Sequence, residues 1–398
     1  MKAFLILEDG TVFTGQHIGA DREVISEIVF NTSMTGYLEV LTDPSYAGQA
    51  VCMTYPLIGN YGICEDDMQS DRAWPDGFIV HEISEYYSNF RSHTSLRSFL
   101  LKYDIPGIQG IDTRALTKIL REKGTMNGCI TTNEEYDLEA MTERIRAYSV
   151  TGVVKRVSVK ERYSLKGIES LEENGPAAGK VRAMTGITEK PLVPERVPLK
   201  IRELNGKGLK IAILDVGMKK NIAASLVSRG CDVTVFPCDT KAEDIIAFAP
   251  DGIMISNGPG DPKECTDIIR EIKKLYDTDI PIFAICLGHQ LMALATGADT
   301  HKMKYGHRGS NHPVKDLETE KVYITSQNHG YMVDESTVDE KVAEPLFRNV
   351  NDGTNEGLIY RDKRIFTVQF HPEACAGPLD SGFLFDRFIS MVKEADCG

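Results

Sequence analysis

The sequence lacks the long apolar runs and the excess of basic residues that several classes of protein require. No stretch of its 398 residues approaches the roughly 20 consecutive apolar residues that span a bilayer. The formal net charge is −13, so nucleic acid and anionic membranes are disfavoured as main partners. The first residues, MKAFLILEDGTVFTG, contain no apolar segment of signal-peptide length. These absences predict a cytoplasmic, soluble protein that binds neither nucleic acid nor a membrane.

Cysteine patterns typical of zinc ribbons and thioredoxin-type redox motifs are also missing. The nine cysteines are scattered along the chain, and none forms a C-x-x-C pair. An odd, scattered set of thiols is typical of a reducing compartment, in which cysteines stay free. His307 and His312 are five residues apart, which matches no common zinc spacing, so we expect no metal site.

The length of the chain predicts two domains, each large enough to bury its own core. Residues 1–165 show short alternating strand patterns between loops, which predict a mixed α/β domain. Residues 166–207 are rich in Pro, Gly and charge without periodicity, and we interpret them as a linker. Residues 208–398 have a different texture and form the second predicted domain.

Two local signals in the first part are specific enough to predict elements. Asp9-Gly10 lies between two alternating runs and indicates a hairpin. The segment DTRALTKILREKG predicts a helix that Asp112 caps at its start and that Gly124 ends.

The second part alternates between buried strand patterns and helical patterns. In order, the strand and helix pairs are LKIAILDVG and KKNIAASLVSRG, DVTVFPCD and AEDIIAFAP, GIMISNGPGDP and CTDIIREIKKLYD. Such alternation predicts right-handed crossovers and a doubly wound, mainly parallel sheet of the α/β class. Ligands bind beyond the carboxyl ends of the strands in sheets of this kind.

One cysteine lies at such a strand end. The segment PIFAICLGHQLMALA predicts a short buried strand followed by a helix with an apolar face, with Cys286 at the corner. A helix N-terminus favours the nucleophilic thiolate, and Gly288 would let neighbouring backbone approach closely. The corner is therefore similar to a nucleophile elbow. A buried structural cysteine is the alternative that these residues leave open.

A cysteine nucleophile needs a base and a group that orients the base, and another apolar strand pattern, RIFTVQFHPEA, ends in candidates for both. His371 and Glu373 are two residues apart, so in an extended chain their side chains share a face. Pro372 between them would end the sheet ladder. A carboxylate beside an imidazole fixes its tautomer and stabilises the imidazolium. The alternative is a surface turn.

The loop NGPG, residues 257–260, is a candidate for oxyanion stabilisation. Gly258 and Gly260 can present backbone N–H groups, and the Leu287 N–H directly follows the nucleophile. A phosphate loop is disfavoured because no G-K-[ST] follows and because Pro259 lacks a donor. For His289 and His329, contact with the site and plain packing are both compatible with the sequence.

In this order and at these separations, NGPGDP, CLGHQ and HPEA resemble the motifs of class I glutamine amidotransferases. The segments FNTSMTGYLEVLTDPSYAGQ, YPLIGNYG and GIQGIDTRALTKILREKGTM resemble the amino-terminal domain of the small, glutamine-hydrolysing chain of carbamoyl-phosphate synthetase. MKYGHRGSNHPV and SQNHGYMVDE resemble the carboxyl half of the same family. The resemblance covers most of the chain, and the linker is its least similar part.

The resemblance implies a subunit that hydrolyses glutamine through a cysteine thioester and passes ammonia through an internal tunnel to a large chain. It implies that Cys286 is the nucleophile, His371 the base and Glu373 the residue that orients the base. It also implies a glutamine site, formed by Ser45, Gly258, Gly260, Leu287, Gln290, Asn328, Gly330 and Tyr331.

The same resemblance implies the partner and its cofactors. The large chain, in a heterodimer or a higher oligomer, would use ATP, Mg²⁺ and bicarbonate to make carbamoyl phosphate for arginine and pyrimidine synthesis. No cofactor is expected in this chain itself.

Three residues depart from the family pattern without being reacting groups: Val216, Ala284 and Ala376 stand where Phe, Gly and Pro are usual. Two other functions remain as alternatives. One is a catalytically inactive scaffold subunit, and the other is a class I amidotransferase that serves another synthase.

Overall fold

The computed structural model describes residues 1–167, 205–374 and 377–396. Their contacts divide the chain into two units. Unit 1 comprises residues 1–153 and 303–309, and unit 2 comprises residues 154–302 and 310–398. Most of the linker predicted at 166–207, together with Ala376, lies outside the described residues.

Unit 1 is built around a closed β-barrel. Its strands are β1 (Lys2–Leu7), β2 (Val12–Gly19), β3 (Val24–Asn31), β4 (Gln49–Met53), β5 (Leu57–Ile58), β6 (Gly77–Ile79), β7 (Glu82–Ile83), β8 (Pro106–Gln109) and β9 (Met126–Thr131). The barrel order is β1-β2-β8-β6-β4-β3-β9, while β5 and β7 form a separate pair. The mixed composition of unit 1 is as predicted. Closure was not predicted, because it depends on β1 pairing with β9 at the far end of the unit.

The hairpin predicted at Asp9-Gly10 is confirmed. Strands β1 and β2 pair antiparallel, with Leu5 opposite Phe13. Gly10 has φ 85°, a conformation that few residues other than glycine adopt readily. The Thr11 N–H donates to Asp9 Oδ1 over 2.9 Å, which fixes the turn locally.

The capped helix of unit 1 is also confirmed. Helices α1 to α5 span Tyr37–Thr42, Leu96–Lys102, Thr113–Lys123, Leu138–Arg146 and Val153–Val157. In α3 the Asp112 carboxylate accepts a hydrogen bond from the Ala115 N–H over 2.8 Å, and Gly124 ends the helix at φ 105°. Leu116 and Leu120 form its buried face.

Unit 2 carries a ten-stranded sheet among the described residues. Its strands are β10 (Tyr163–Leu165), β11 (Lys210–Asp215), β12 (Asp232–Pro237), β13 (Gly252–Ile255), β14 (Ile282–Ile285), β15 (Asp299–Asp316), β16 (Val322–Asp334), β17 (Ala343–Asn349), β18 (Asn355–Tyr360) and β19 (Ile365–Val368). The sheet order is β10-β12-β11-β13-β14-β19-β18-β17-β15-β16.

The centre of this sheet, from β12 to β19, is parallel, which confirms the predicted α/β class. Helices α6 to α10 span Lys220–Val227, Ala242–Ala247, Thr266–Tyr276, Leu287–Ala295 and Phe383–Asp396. Apolar clusters cover both faces of the sheet, so β13 and β14 are buried along their whole length. Beyond β19, strands β18, β17 and β15 pair antiparallel, an extension that the alternating pattern did not reveal.

The unit boundary differs from the sequence boundary at 165. Strand β10 pairs antiparallel with β12, and Ser164 and Thr234 share a hydrogen bond between their hydroxyls over 2.8 Å. Residues 154–165 therefore lie in unit 2, because sheet pairing with a strand far along the chain outweighs continuity of sequence. In the part of the chain that the structure describes, no helix combines the length and apolarity needed to cross a bilayer.

Candidate active site

Cys286 lies at a strained corner between a strand and a helix. Strand β14 ends at Ile285, α9 begins at Leu287, and Cys286 between them has φ 53° and ψ −106°. A positive φ is costly for a residue with a Cβ, and such strain is concentrated at functional sites. A Cβ on Gly288 would lie 2.6 Å from the Ile255 carbonyl oxygen, so only glycine fits there. The strand-to-helix corner predicted at Cys286 is confirmed.

The thiol of Cys286 is buried beside strand β16. Its Sγ donates to the Asn328 carbonyl oxygen over 3.7 Å. The Leu287 N–H is the first amide of α9, and by that position it lacks an acceptor within the helix. The corner thus brings together a buried thiol and a backbone donor.

His371 and Glu373 are brought together by a turn. Strand β19 ends at Val368, and the Ala374 N–H donates to the His371 carbonyl oxygen over 3.2 Å. Within this turn His371 Nδ1 donates to Glu373 Oε1 over 2.8 Å. The predicted pair exists, but the predicted extended geometry is wrong, because the sheet ladder stops before Pro372 is reached. The Nδ1 hydrogen bond fixes the ring orientation, as a triad requires.

A buried lysine completes the charge arrangement. Lys219 Nζ lies 2.8 Å from Glu373 Oε1, and both side chains are almost wholly buried. The Lys219 N–H donates to Asn257 Oδ1 over 3.0 Å, which anchors the start of α6 to the glycine loop. No motif in the sequence marked this lysine. Its position, four residues beyond the end of β11, was the available signal, because ligands and reacting groups gather at that edge of the sheet.

The pKa values of the pair move apart. Burial would raise the pKa of the Glu373 carboxyl, but the charges of Lys219 and His371 outweigh it and hold the pKa at about 2. Burial and Lys219 would lower the pKa of His371, but Glu373 and the Cys286 sulfur outweigh them and raise it to about 9. The raised pKa favours the imidazolium that forms when His371 takes up the thiol proton, and Glu373 stabilises that charge.

His371 Nε2 is the imidazole nitrogen that faces away from Glu373. Among the described residues it makes no hydrogen bond of full geometry, but Cys286 is close enough to raise the pKa of the ring. The thiol donates instead to the Asn328 carbonyl oxygen. Rotation about the Cα–Cβ bond of Cys286 would turn the S–H towards Nε2.

The glycine loop packs against the elbow. A Cβ on Gly258 would lie 2.0 Å from the Val216 carbonyl oxygen and 2.8 Å from Leu287 Cδ2, so glycine is required at this contact. The Gly288 N–H donates to the Ser256 carbonyl oxygen over 3.1 Å. Gly260 lies further along the loop, exposed, with φ 91°. The structure thus places Gly258 beside Leu287 and Gly260 at the outer end of the loop.

Further residues predicted to bind glutamine lie on α9 and β16. Gln290 Nε2 donates to the Tyr331 carbonyl oxygen over 2.8 Å and to Gln369 Oε1 over 2.9 Å. Asn328 and Gly330 belong to the same stretch of β16 as Tyr331. Gln369, which immediately follows β19, was missed by the sequence analysis; its position two residues before His371 was the signal that could have identified it.

Three further residues were considered for the site from the sequence, and the structure gives a hydrogen-bond partner for each of them. Ser45 lies in unit 1, where Asp43 Oδ1 accepts its backbone N–H over 2.9 Å, and its place in a glutamine site stays a prediction. His289 is packed in unit 2 against the Thr367 hydroxyl, at 2.8 Å. His329 Nδ1 donates to the Tyr331 carbonyl oxygen over 2.8 Å.

Comparisons with known proteins indicate one family over nearly the whole chain. Residues 5–130 match the family described as carbamoyl-phosphate synthase small chain, CPSase domain, and residues 212–391 match glutamine amidotransferase class-I. The carbamoyl phosphate synthase small chain of Clostridium perfringens is 47% identical to this chain, over 98% of it and 100% of the relative. The small chain of Bacillus cereus is 46% identical, over 99% and 97% respectively. That of Caldanaerobacter subterraneus subsp. tengcongensis is 45% identical, over 98% and 97%.

Proposed function

The chain belongs to the carbamoyl-phosphate synthase small-chain family, the family of the glutamine-hydrolysing subunit of a ligase, and we propose how its residues hydrolyse glutamine. Cys286 is the nucleophile, His371 transfers protons and Glu373 orients His371. The observation that carries this proposal is the strained Cys286 corner, which faces an imidazole held by a buried Glu373–Lys219 pair.

The reaction follows from these groups. The Cys286 thiol gives its proton to His371 Nε2, and the sulfur attacks the side-chain carbonyl carbon of glutamine. The Leu287 N–H and the N–H of Gly258 stabilise the oxyanion. When the C–N bond breaks, the leaving nitrogen takes the proton from His371, and ammonia and a thioester remain. Water then attacks the thioester with His371 as base, which releases glutamate and restores the thiol.

The substrate side chain would lie along α9 and β16. Two contacts support this placement: the Asn328 carbonyl oxygen accepts from the Cys286 thiol, and the Tyr331 carbonyl oxygen accepts from Gln290 Nε2. Gly330 lies between Asn328 and Tyr331 in β16, and these groups are of the kind that a glutamine needs. Ser45 and Gly260 are assigned to the same site on the resemblance alone.

The ammonia is consumed by a large partner chain. We assign to that chain the ATP, the Mg²⁺ and the synthesis of carbamoyl phosphate from bicarbonate, and to this chain no cofactor. The complex would act in the cytoplasm, in arginine and pyrimidine synthesis. Unit 1, in which no catalytic motif was found, is assigned to docking of the large chain.

The test is to isolate the chain with its large, ATP-binding partner and to measure carbamoyl phosphate formed from glutamine and, separately, from ammonia. Cys286→Ser should abolish the glutamine-dependent reaction and spare the ammonia-dependent one. Cys265→Ser is the matched control, because Cys265 is the N-cap residue of α8, a position that serine suits. Equal glutaminase turnover in the Cys286→Ser variant and the wild type would exclude the proposed nucleophile.

The hydrogen bond of the Cys286 thiol to Asn328, and not to His371, supports a second part of the proposal, that the isolated chain hydrolyses glutamine slowly until its partner binds. A base misplaced by about 1 Å can cost on the order of 100-fold in rate. Glutaminase turnover of the chain alone is to be compared with that of the complex supplied with ATP and bicarbonate. Equal rates would show that the resting geometry is already competent and that no activation occurs.

A further inference from the structure

Gln369 carries a buried amide that the proposed reaction does not use. The residue is 0% exposed, immediately follows β19 and precedes His371 by two positions. Its backbone N–H donates to the Glu356 carbonyl oxygen over 2.9 Å, a bond that any residue except proline would keep. Its side-chain Oε1 accepts the hydrogen bond from Gln290 Nε2. The side chain therefore acts on Gln290, on the neighbouring helix.

The amide of Gln290 is held in one orientation. Its two N–H groups are used by two acceptors, the Tyr331 carbonyl oxygen and Gln369 Oε1, at 2.8 and 2.9 Å. If the amide turned over, its own oxygen would face both acceptors and two hydrogen bonds would become repulsions. The orientation leaves Gln290 Oε1 as an acceptor for a third group, and no described residue donates to it.

We propose that Gln369 is a positioning residue for glutamine recognition, which orients the Gln290 amide so that its Oε1 accepts a hydrogen bond from an N–H group of the bound substrate. This inference rests on the proposed function and adds to it a residue that contacts Gln290 instead of the substrate. Tyr331 holds Gln290 only through a backbone oxygen, which a substitution of Tyr331 would leave in place. Gln369 is therefore the side chain whose replacement can change the orientation of the Gln290 amide.

A purely structural role is a poor explanation for this amide. Gln369 Nε2 is buried, and no hydrogen-bond partner for it exists among the described residues. A buried donor without an acceptor costs stability, so packing alone does not explain why this side chain is an amide. Gln369 Oε1 does have a partner, and that partner is the Gln290 amide, which Oε1 orients.

The first test replaces Gln369 in the complex with the large chain. Gln369→Met keeps the length and removes the acceptor, so KM for glutamine should rise about tenfold, the order expected for one lost hydrogen bond, while kcat changes less than about threefold. Gln369→Glu keeps an acceptor oxygen whether or not it is charged, and should recover most of the affinity. Carbamoyl phosphate synthesis from ammonia should equal that of the wild type in both variants. The melting temperature of Gln369→Met should stay close to that of the wild type, because the variant removes one unpartnered donor, Gln369 Nε2, but takes the acceptor from one Gln290 N–H.

The second test asks whether Gln369 acts through Gln290. In a double-mutant cycle of Gln369→Met and Gln290→Met, the double variant should have the same KM as Gln290→Met alone, because the residue being oriented is gone. Multiplicative increases in KM would overturn the inference, as would an unchanged KM in Gln369→Met. If Gln369→Met does not fold, the shorter Gln369→Asn replaces it in the cycle. A wild-type complex without glutamine-dependent synthesis would instead refute the proposed function itself.

Discussion

Two histidines of unit 2, His289 and His371, are both completely buried, yet burial has opposite consequences for them. His289 shares a hydrogen bond with the Thr367 hydroxyl, and burial lowers its pKa to about 3. His371 is paired with Glu373 and lies by the Cys286 sulfur, and its pKa rises to about 9. Burial removes the charge of an imidazole unless an opposite charge is buried with it. The comparison separates a packing histidine from one that can transfer a proton at neutral pH.

The contributions of the two histidines to the free energy of unfolding also change in opposite directions with pH. The folded-state pKa of His289 lies below the ordinary value near 6.5, so its contribution is lost as the pH falls from about 6.5 towards 3. The folded-state pKa of His371 lies above that value, so its contribution is complete below about pH 6.5 and is lost as the pH rises through about 9.

Replacing the imidazole that we propose as the base should have the largest effect. His371→Asn keeps a polar side chain of similar size but removes the proton acceptor, so kcat for glutamine hydrolysis should fall on the order of 1,000-fold. Carbamoyl phosphate synthesis from added ammonia by the complex should continue at the wild-type rate. Retention of most glutaminase activity by His371→Asn would mean that another group accepts the thiol proton.

Glu373→Gln should cost less than His371→Asn, by about tenfold or more, because an amide oxygen can still accept the His371 hydrogen bond. The charge that raises the pKa of His371 is lost, so the pKa seen in the pH profile of kcat/KM should fall. Steady-state assays across pH 5 to 10 measure both quantities. Equal losses in the two variants would indicate that Glu373 transfers a proton directly.

Lys219→Met tests the charge behind the pair. Lys219 lowers the pKa of both Glu373 and His371, so its removal should raise both and shift the pH profile of kcat/KM to higher pH. We expect a loss in kcat/KM of about tenfold at neutral pH, together with reduced stability, because a buried carboxylate loses its partner. Lys219→Arg keeps the charge and serves as the control. A profile that does not move would show that Lys219 only packs against Glu373.

His289→Gln should have the smallest effect on activity, a change of less than about threefold in kcat/KM, because His289 interacts with Thr367 and with no reacting group. Its effect should appear in acid. Between about pH 6.5 and 4.5 the free energy of unfolding of the wild type should decline relative to that of the variant by about 1.4 kcal/mol per pH unit. Denaturant unfolding of both proteins at several pH values measures the difference. If the free energies of unfolding of the two proteins fell equally with pH, a group other than His289 would be the one that takes up the proton.

Residues whose partners are close in sequence were predicted well. The Asp9-Gly10 turn, the Asp112 cap and the Cys286 corner each depend on a few neighbouring residues, and each was confirmed. The parallel centre of the sheet followed from alternating strand and helix patterns, because crossovers of one hand permit few other arrangements. His371 and Glu373 were identified as a pair by type and spacing, although their geometry was not.

Short motifs were enough to predict the candidate groups of the site: a thiol before a helix, an imidazole and a carboxylate two residues apart, and a glycine loop. The groups that contact them and shift their pKa values became visible only in the fold. Lys219 reaches Glu373, and Gln369 reaches Gln290, across strands that are distant along the chain. Local propensity acts over a few residues, whereas the contacts of a buried charge or amide depend on which strands lie side by side. That order is set by the burial of whole apolar faces, which no single motif records.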